Sequence, residues 1–150
     1  MLKEKLQQDL KESLKSGDSR KRMVLGMVSS AIKNKEIEKH GELTDEEVVA
    51  VISSEIKKRK DSVEQFEKGG RPELAESEKR EIDILMSYMP EQMSEDQIRD
   101  EVKKTIAATG AKDVKEMGKV LGVLMPKLKG QADGQTVSRI VKEEIDKLGN

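Results

Sequence analysis

The apolar positions along this chain recur with a helical period almost from end to end. Leu2, Leu6, Leu10 and Leu14 fall every four residues and predict a first helix with one apolar stripe, ended by Gly17. Asp18 is placed to cap a second helix, where Met23, Met27, Ile32 and Ile37 lie among basic residues as far as His40-Gly41. Thr44 with Glu47 forms a capping box before a third helix with Val48, Val49, Ile52, Ile56, Val63 and Phe66 inward. Gly69-Gly70-Arg71-Pro72 breaks that helix. Pro72 suits the first turn of a fourth, which would bury Leu74, Ile82, Leu85 and either Met86 or Met89. Pro90-Glu91-Gln92-Met93 reads as a linker, and Ser94 with Gln97 forms a second capping box. The fifth helix carries Ile98, Val102 and Ile106 and stops at Thr109-Gly110. Asp113 caps a sixth, with Met117, Val120, Leu121 and Leu124 inward and an end near Pro126. Residues 127–134 read as a loop, from which Asp133 caps a seventh helix carrying Val137, Ile140, Val141, Ile145 and Leu148. No segment alternates with period two for long enough to predict a strand. The expected fold is all-α, with a larger N-terminal helical domain over residues 1–92 and a small C-terminal three-helix domain over residues 93–150.

Composition narrows the classes of function. Only two of 150 residues are aromatic, Phe66 and Tyr88, so the core must be aliphatic. The eight methionines are expected mainly as core filler, although methionine also suits adaptable binding surfaces. There is no Cys, which excludes a disulfide framework, a thiolate nucleophile and a zinc finger. His40 stands alone and is expected at a helix C-terminus, where its cationic form is favoured, with no pairing that would make it a general base. The carboxylates spread over polar helix faces, and neither a GxxxxGK[ST] loop nor an HExxH helix occurs. No metal, no cofactor and no catalytic residue is therefore expected. No stretch approaches the roughly 18 apolar residues of a membrane span. Met1-Leu2-Lys3-Glu4-Lys5 lacks the apolar run of a secretory signal, so the expected setting is cytoplasmic and no membrane partner is expected.

Charge redistributes the interest along the chain. The 29 basic and 30 acidic residues nearly cancel, which removes the simplest argument for nucleic-acid binding. The first 92 residues hold 18 basic and 20 acidic residues. Their basic runs, Arg20-Lys21-Arg22 and Lys57-Lys58-Arg59-Lys60, are mostly expected to pair with acidic neighbours at helical spacing. Between Ala111 and Gln131, by contrast, five lysines face two acidic residues, a net +3. Gly118 and Gly122 in that segment put two small residues on one helix face, where either a neighbouring helix or a sugar-phosphate chain could approach closely. Lys127, Lys129, the Gly130 amide and a helix N-terminus follow together, and such groups bind phosphate. With almost no aromatics, backbone and shape contacts to a folded RNA fit better than base stacking on a single strand.

These residues carry a resemblance. Lys33-Asn34-Lys35-Glu36-Ile37-Glu38, Glu55-Ile56-Lys57-Lys58-Arg59-Lys60-Asp61-Ser62 and Gln65 through Ala75 resemble the YqeY (GatB/YqeY-like) family. So do Tyr88-Met89-Pro90-Glu91-Gln92-Met93 and Met117-Gly118-Lys119-Val120 through Gly134. The resemblance covers the whole chain in order. It implies likeness to the C-terminal region of the B subunit of the tRNA-dependent Glu/Asp amidotransferase, with a helical domain and a small tail domain. There the tail contacts tRNA, while amide transfer takes place in domains that this chain lacks. The resemblance also implies a link to carbon–nitrogen ligation with glutamine as amide donor, yet no ATP site, magnesium cluster or glutaminase nucleophile is visible in the sequence. The leading expectation is a non-catalytic helical module that binds tRNA or is linked to tRNA metabolism. Its contacts would be Gly118, Lys119, Gly122, Lys127, Lys129 and Gly130, with Arg22, Lys33, Lys58 and Arg59 contributing. The alternatives are an adaptor docking on an amidotransferase, synthetase or other translation protein, and an accessory to amide transfer.

Overall fold

The computed structural model describes residues 1–149, which form two compact units, Met1–Met89 and a second beginning at Pro90. The first holds α1 (Leu2–Ser16), α2 (Ser19–Lys39), α3 (Asp45–Lys68) and α4 (Pro72–Met86). The second holds α5 (Glu95–Thr109), a single 3-10 turn (Val114–Glu116), α6 (Met117–Leu128) and α7 (Gly134–Leu148). Among the described residues there is no strand, and the fold is all-α as the periodicity requires.

Local chemistry sets the helix ends. Gly17 ends α1 in the left-handed region at φ 76°, which glycine enters without a Cβ penalty. The Lys21 N–H donates to Asp18 Oδ1 at 3.1 Å, satisfying one orphan donor of α2. At the start of α3 the Glu47 N–H donates to Thr44 Oγ1 (3.2 Å) and the Thr44 N–H donates back to Glu47 Oε1 (3.0 Å). Ser94 and Gln97 exchange the same pair of bonds at the start of α5.

Glu47 also accepts from Lys39 Nζ at 2.6 Å. The Lys39 ammonium first, then the Thr44 N–H, hold its carboxyl at about 2, down from an ordinary 4.5. A carboxyl with a lowered folded pKa contributes stability that is complete above its unfolded value and is lost as pH falls towards the folded one. The stabilising contribution of Glu47 is therefore expected to fade between pH 4.5 and about 2. NMR titration of its side-chain carboxyl should give the low value. Glu47→Gln, which keeps a capping acceptor, should remove this part of the acid dependence. Titration near 4.5 would contradict the assignment.

The core of the first unit joins Leu6 of α1, Val24, Leu25, Val28 and Ile32 of α2, Val48, Val51, Ile52 and Ile56 of α3, and Leu85 of α4. Tyr88 completes it, its hydroxyl donating to Asp9. Burial, then the Asp9 carboxylate, pushes that phenol above its ordinary range. Helix α2 departs from the expected stripe. Ile32 is buried, but Met23 and Met27 are half exposed and Ile37 is 67% exposed. The helix turns its Val24-Leu25-Val28-Ile32 arc inward, so the branched residues fill the interhelical space and the methionines face out. Leu14 and Leu74 also point outward, and Ala75 takes the inward place in α4.

The second unit packs α5, α6 and α7 each against the other two around Ile98, Val102, Val120, Leu124, Val137, Ile140 and Ile145. The Met93 N–H donates to Gln131 O (2.9 Å) and Gln92 Nε2 to Gly130 O (2.8 Å). These bonds hold the stretch expected as a linker against the loop after α6, inside the second unit. Arg99 of α5 reaches Glu143 (2.8 Å) and Glu144 (2.6 Å) of α7. Asp113 caps the 3-10 turn, through the Lys115 N–H, and not α6 itself. Helix α6 also continues past the expected stop at Pro126, because Leu128 is buried in the core.

Candidate functional site

The outer face of α6 combines missing side chains with free charge. Gly118 and Gly122 are both exposed, and a Cβ at either would meet nothing within 4 Å. No helix of the described fold packs there, so these glycines do not serve a close helix–helix contact within this chain. Pro126 has no N–H to give the carbonyl four residues back, which is that of Gly122. Val123 and Val114, both about half exposed, add an apolar edge.

Lys119 and Lys129 are exposed and, with Lys112 and Lys115, form no ion pair among the described residues. Lys127 differs: its ammonium lies 2.8 Å from Glu101 of α5 and holds that carboxyl below its ordinary range. This pair is exposed on the lysine side, where such pairs are weak and screened by solvent, so a stronger anion can displace Glu101. Gly130 takes the left-handed conformation at φ 80°, its carbonyl committed to Gln92. The Gln131 and Ala132 N–H groups turn back onto Leu128 O. Asp133 occupies the cap position of α7, but its side chain accepts no backbone hydrogen bond, contrary to the sequence expectation. It accepts from Thr136 Oγ1 at 3.4 Å instead.

In the first unit the expected basic contacts separate. Arg22 and Lys33 are exposed on α2 and unpaired among the described residues, and Lys58 is exposed beside Glu55 at 3.5 Å. Arg59 is buried. Its Nη1 donates to Glu55 Oε2 (2.9 Å) and to the Glu55 carbonyl (3.1 Å), and its Nε lies 3.6 Å from Glu81 of α4. A guanidinium enclosed by two carboxylates cannot reach a phosphate on the surface, so Arg59 leaves the candidate set. Sequence reasoning missed this Glu55–Arg59–Glu81 cluster, of which only the i,i+4 spacing of Glu55 and Arg59 was visible. Burial, then the neighbouring Glu81, pushes the Glu78 carboxyl up.

A second arrangement without a sequence signal is a groove of about 340 Å³ between α1 and α2. Leu6, Leu10 and Ile32 floor it, and Gln7, Ser29, Ser30 and Lys33 rim it. The Lys3–Glu36 ion pair (2.8 Å) closes one end. Lys3 first, then the Leu43 N–H, hold the Glu36 carboxyl low. Among the described residues no group of three or more His, Cys, Asp or Glu is placed to hold a metal ion, and no helix is long and apolar enough to cross a membrane.

Comparison with known proteins places these features in context. Residues 3–145 match the family model described as Yqey-like protein. The chain is similar to proteins named Altered inheritance of mitochondria protein 41, mitochondrial. The one from Saccharomyces cerevisiae is 36% identical over 110 residues, covering 71% of this chain and 60% of that protein. The one from Lachancea thermotolerans is 38% identical over 85 residues, covering 56% and 46%. The one from Pyrenophora tritici-repentis is 28% identical over 144 residues, covering 94% and 79%. The chain thus spans about half the length of the Lachancea protein and three fifths of the Saccharomyces one. These names overturn the cytoplasmic expectation, since the relatives are mitochondrial by name. The expectation rested on the lack of an apolar run, which argues against a secretory signal and does not discriminate among the remaining compartments.

Proposed function

The chain belongs to the Yqey-like protein family, and from that premise we propose that it is a non-catalytic helical module that binds folded RNA of the tRNA class. The binding surface is the open face of α6 with the loop that follows it. The observation that carries this reading is the pairing of exposed, ion-pair-free lysines with two glycines that leave the backbone open. Lys115, Lys119 and Lys129 can neutralise phosphates, and the bare face around Gly118 and Gly122 admits a sugar-phosphate chain close to the helix. The resemblance to the amidotransferase tail, which contacts tRNA apart from the chemistry, supports the same reading. With few aromatics, affinity would come from backbone charge and shape.

A filter-binding titration with total tRNA over a salt series tests it. Binding is expected at low salt and should weaken steeply as salt rises. Lys119→Ala and Lys129→Ala should each lower the salt slope by about 1. Gly122→Leu, which fills the open face without changing charge, should weaken binding at every salt concentration. A folded protein that fails to bind tRNA at low salt would sink the proposal.

A further inference from the structure

Helix α2 carries a second stripe, apolar at three of its five positions, that lies outside the core and touches the rest of the fold at Met27, through Arg59 Nη2 at 3.6 Å. Met23, Met27, Ser30, Asn34 and Ile37 follow the alternating four- and three-residue spacing of a helix–helix seam. Met23, Met27 and Ile37 on that stripe are each about half exposed or more, while the opposite arc of α2 fills the core. The helix holds six basic residues against two acidic ones, a net +4. Arg20, Lys21, Arg22 and Lys33 make no ion pair among the described residues, whereas Lys35 and Lys39 are satisfied by Glu38 and Glu47. Ser30 belongs both to the stripe and to the rim of the α1–α2 groove, so the two features adjoin.

We propose that the outer face of α2 docks an acidic amphipathic helix of a partner protein, with an apolar side chain of that helix seated in the α1–α2 groove. The spacing argues for a helix, because a partner helix meets this stripe at every turn. The unpaired cations argue for acidic flanks. The methionines supply an adaptable contact. A nucleic-acid backbone would use the cations but gain little from Met23, Met27 and Ile37. The inference does not rest on RNA binding, which is assigned to α6 and its loop.

The test uses the full chain and two fluorescent amphipathic peptides of about three heptads, with the same leucine seam and either Glu or Lys on both flanks. Fluorescence anisotropy should show the Glu peptide binding at least about tenfold tighter than the Lys peptide. Met23→Ser/Ile37→Ser should weaken the Glu peptide by about tenfold, and Lys33→Glu should weaken it as well. All three positions are exposed, so melting temperature should stay unchanged, and in Met23→Ser/Ile37→Ser tRNA binding through Lys119 and Lys129 should persist. Backbone NMR shifts on adding the Glu peptide should concentrate on α2 and on Gln7 and Leu10 across the groove. Several results would overturn the proposal: no discrimination between the peptides, or full affinity in the Met23→Ser/Ile37→Ser protein. Binding of phosphatidylglycerol vesicles or of tRNA through this stripe in preference to the Glu peptide would do the same. So would a dimer abolished by Met23→Ser/Ile37→Ser, which would assign the face to a second copy.

Discussion

Arg59→Ala is expected to destabilise the first unit by about 3–5 kcal/mol, the cost of breaking a buried ion cluster from one side. Among the described residues the guanidinium is the only cation within ion-pair distance of Glu81, and Lys58, the other partner of Glu55, is largely exposed. Alanine would leave Glu55 and Glu81 desolvated on facing helices with little to compensate them. It would also remove the contact from Arg59 Nη2 to Met27 Sδ at 3.6 Å, which ties α2 to this centre. The cluster does not owe its presence to a large net gain, since two charges and a fork of donors are taken from water to form it. Replacing all three members by leucine should therefore cost much less than Arg59→Ala alone, as apolar replacement of buried ion pairs often does. Urea unfolding followed by circular dichroism measures both. A loss below about 1 kcal/mol in Arg59→Ala would show the carboxylates to be solvated.

The second large effect is expected at Ile140, which is fully buried where α7 meets α5 and α6. Ile140→Ala removes buried methyl and methylene groups and leaves a cavity, for a cost of about 2–5 kcal/mol. Ile140→Val should cost about 0.5–1.5 kcal/mol. A unit of about 60 residues buries a smaller share of its surface than a larger domain, so a loss of this size approaches its whole stability. Amide exchange across α5, α6 and α7 should report it as lost protection. Val123→Ala, on the exposed face of α6, should stay within about 0.5 kcal/mol. Equal effects at positions 123 and 140 would contradict the packing described.

Most helix ends were legible in the sequence because capping is local. Thr44 with Glu47, Ser94 with Gln97, Asp18, Gly17 and Gly110 each act within a few residues of themselves. Two ends were not. Asp133 holds the cap position yet bonds to Thr136, and α6 passes through Pro126 because Leu128 is drawn into a core built by other helices. Local propensity at Pro126 loses to burial at Leu128.

The candidate site was legible in part. The lysine excess from Ala111 to Gln131 is a property of composition, but whether each lysine is free depends on what faces it. Lys127 meets Glu101, 26 positions away, and Lys119 and Lys129 meet no acid. The two readings of Gly118 and Gly122 were equivalent in sequence, and only the placement of α5 and α7 on other faces of α6 leaves both glycines open.

By itself the sequence determined the all-helical class, seven helices and the position of nearly every break between them, since periodicity and caps operate over one or two turns. It did not determine which face of α2 goes inward. Met23-Met27-Ile37 and Val24-Leu25-Val28-Ile32 both satisfy a helical period, and a period names faces without ranking them. It did not determine that Arg59 turns inside, since its near neighbours Lys57, Lys58 and Lys60 stay out. Those choices belong to the tertiary structure. Burial is decided by which surfaces the neighbouring helices present, and Arg59 is admitted because its own helix and the facing α4 each bring it a carboxylate.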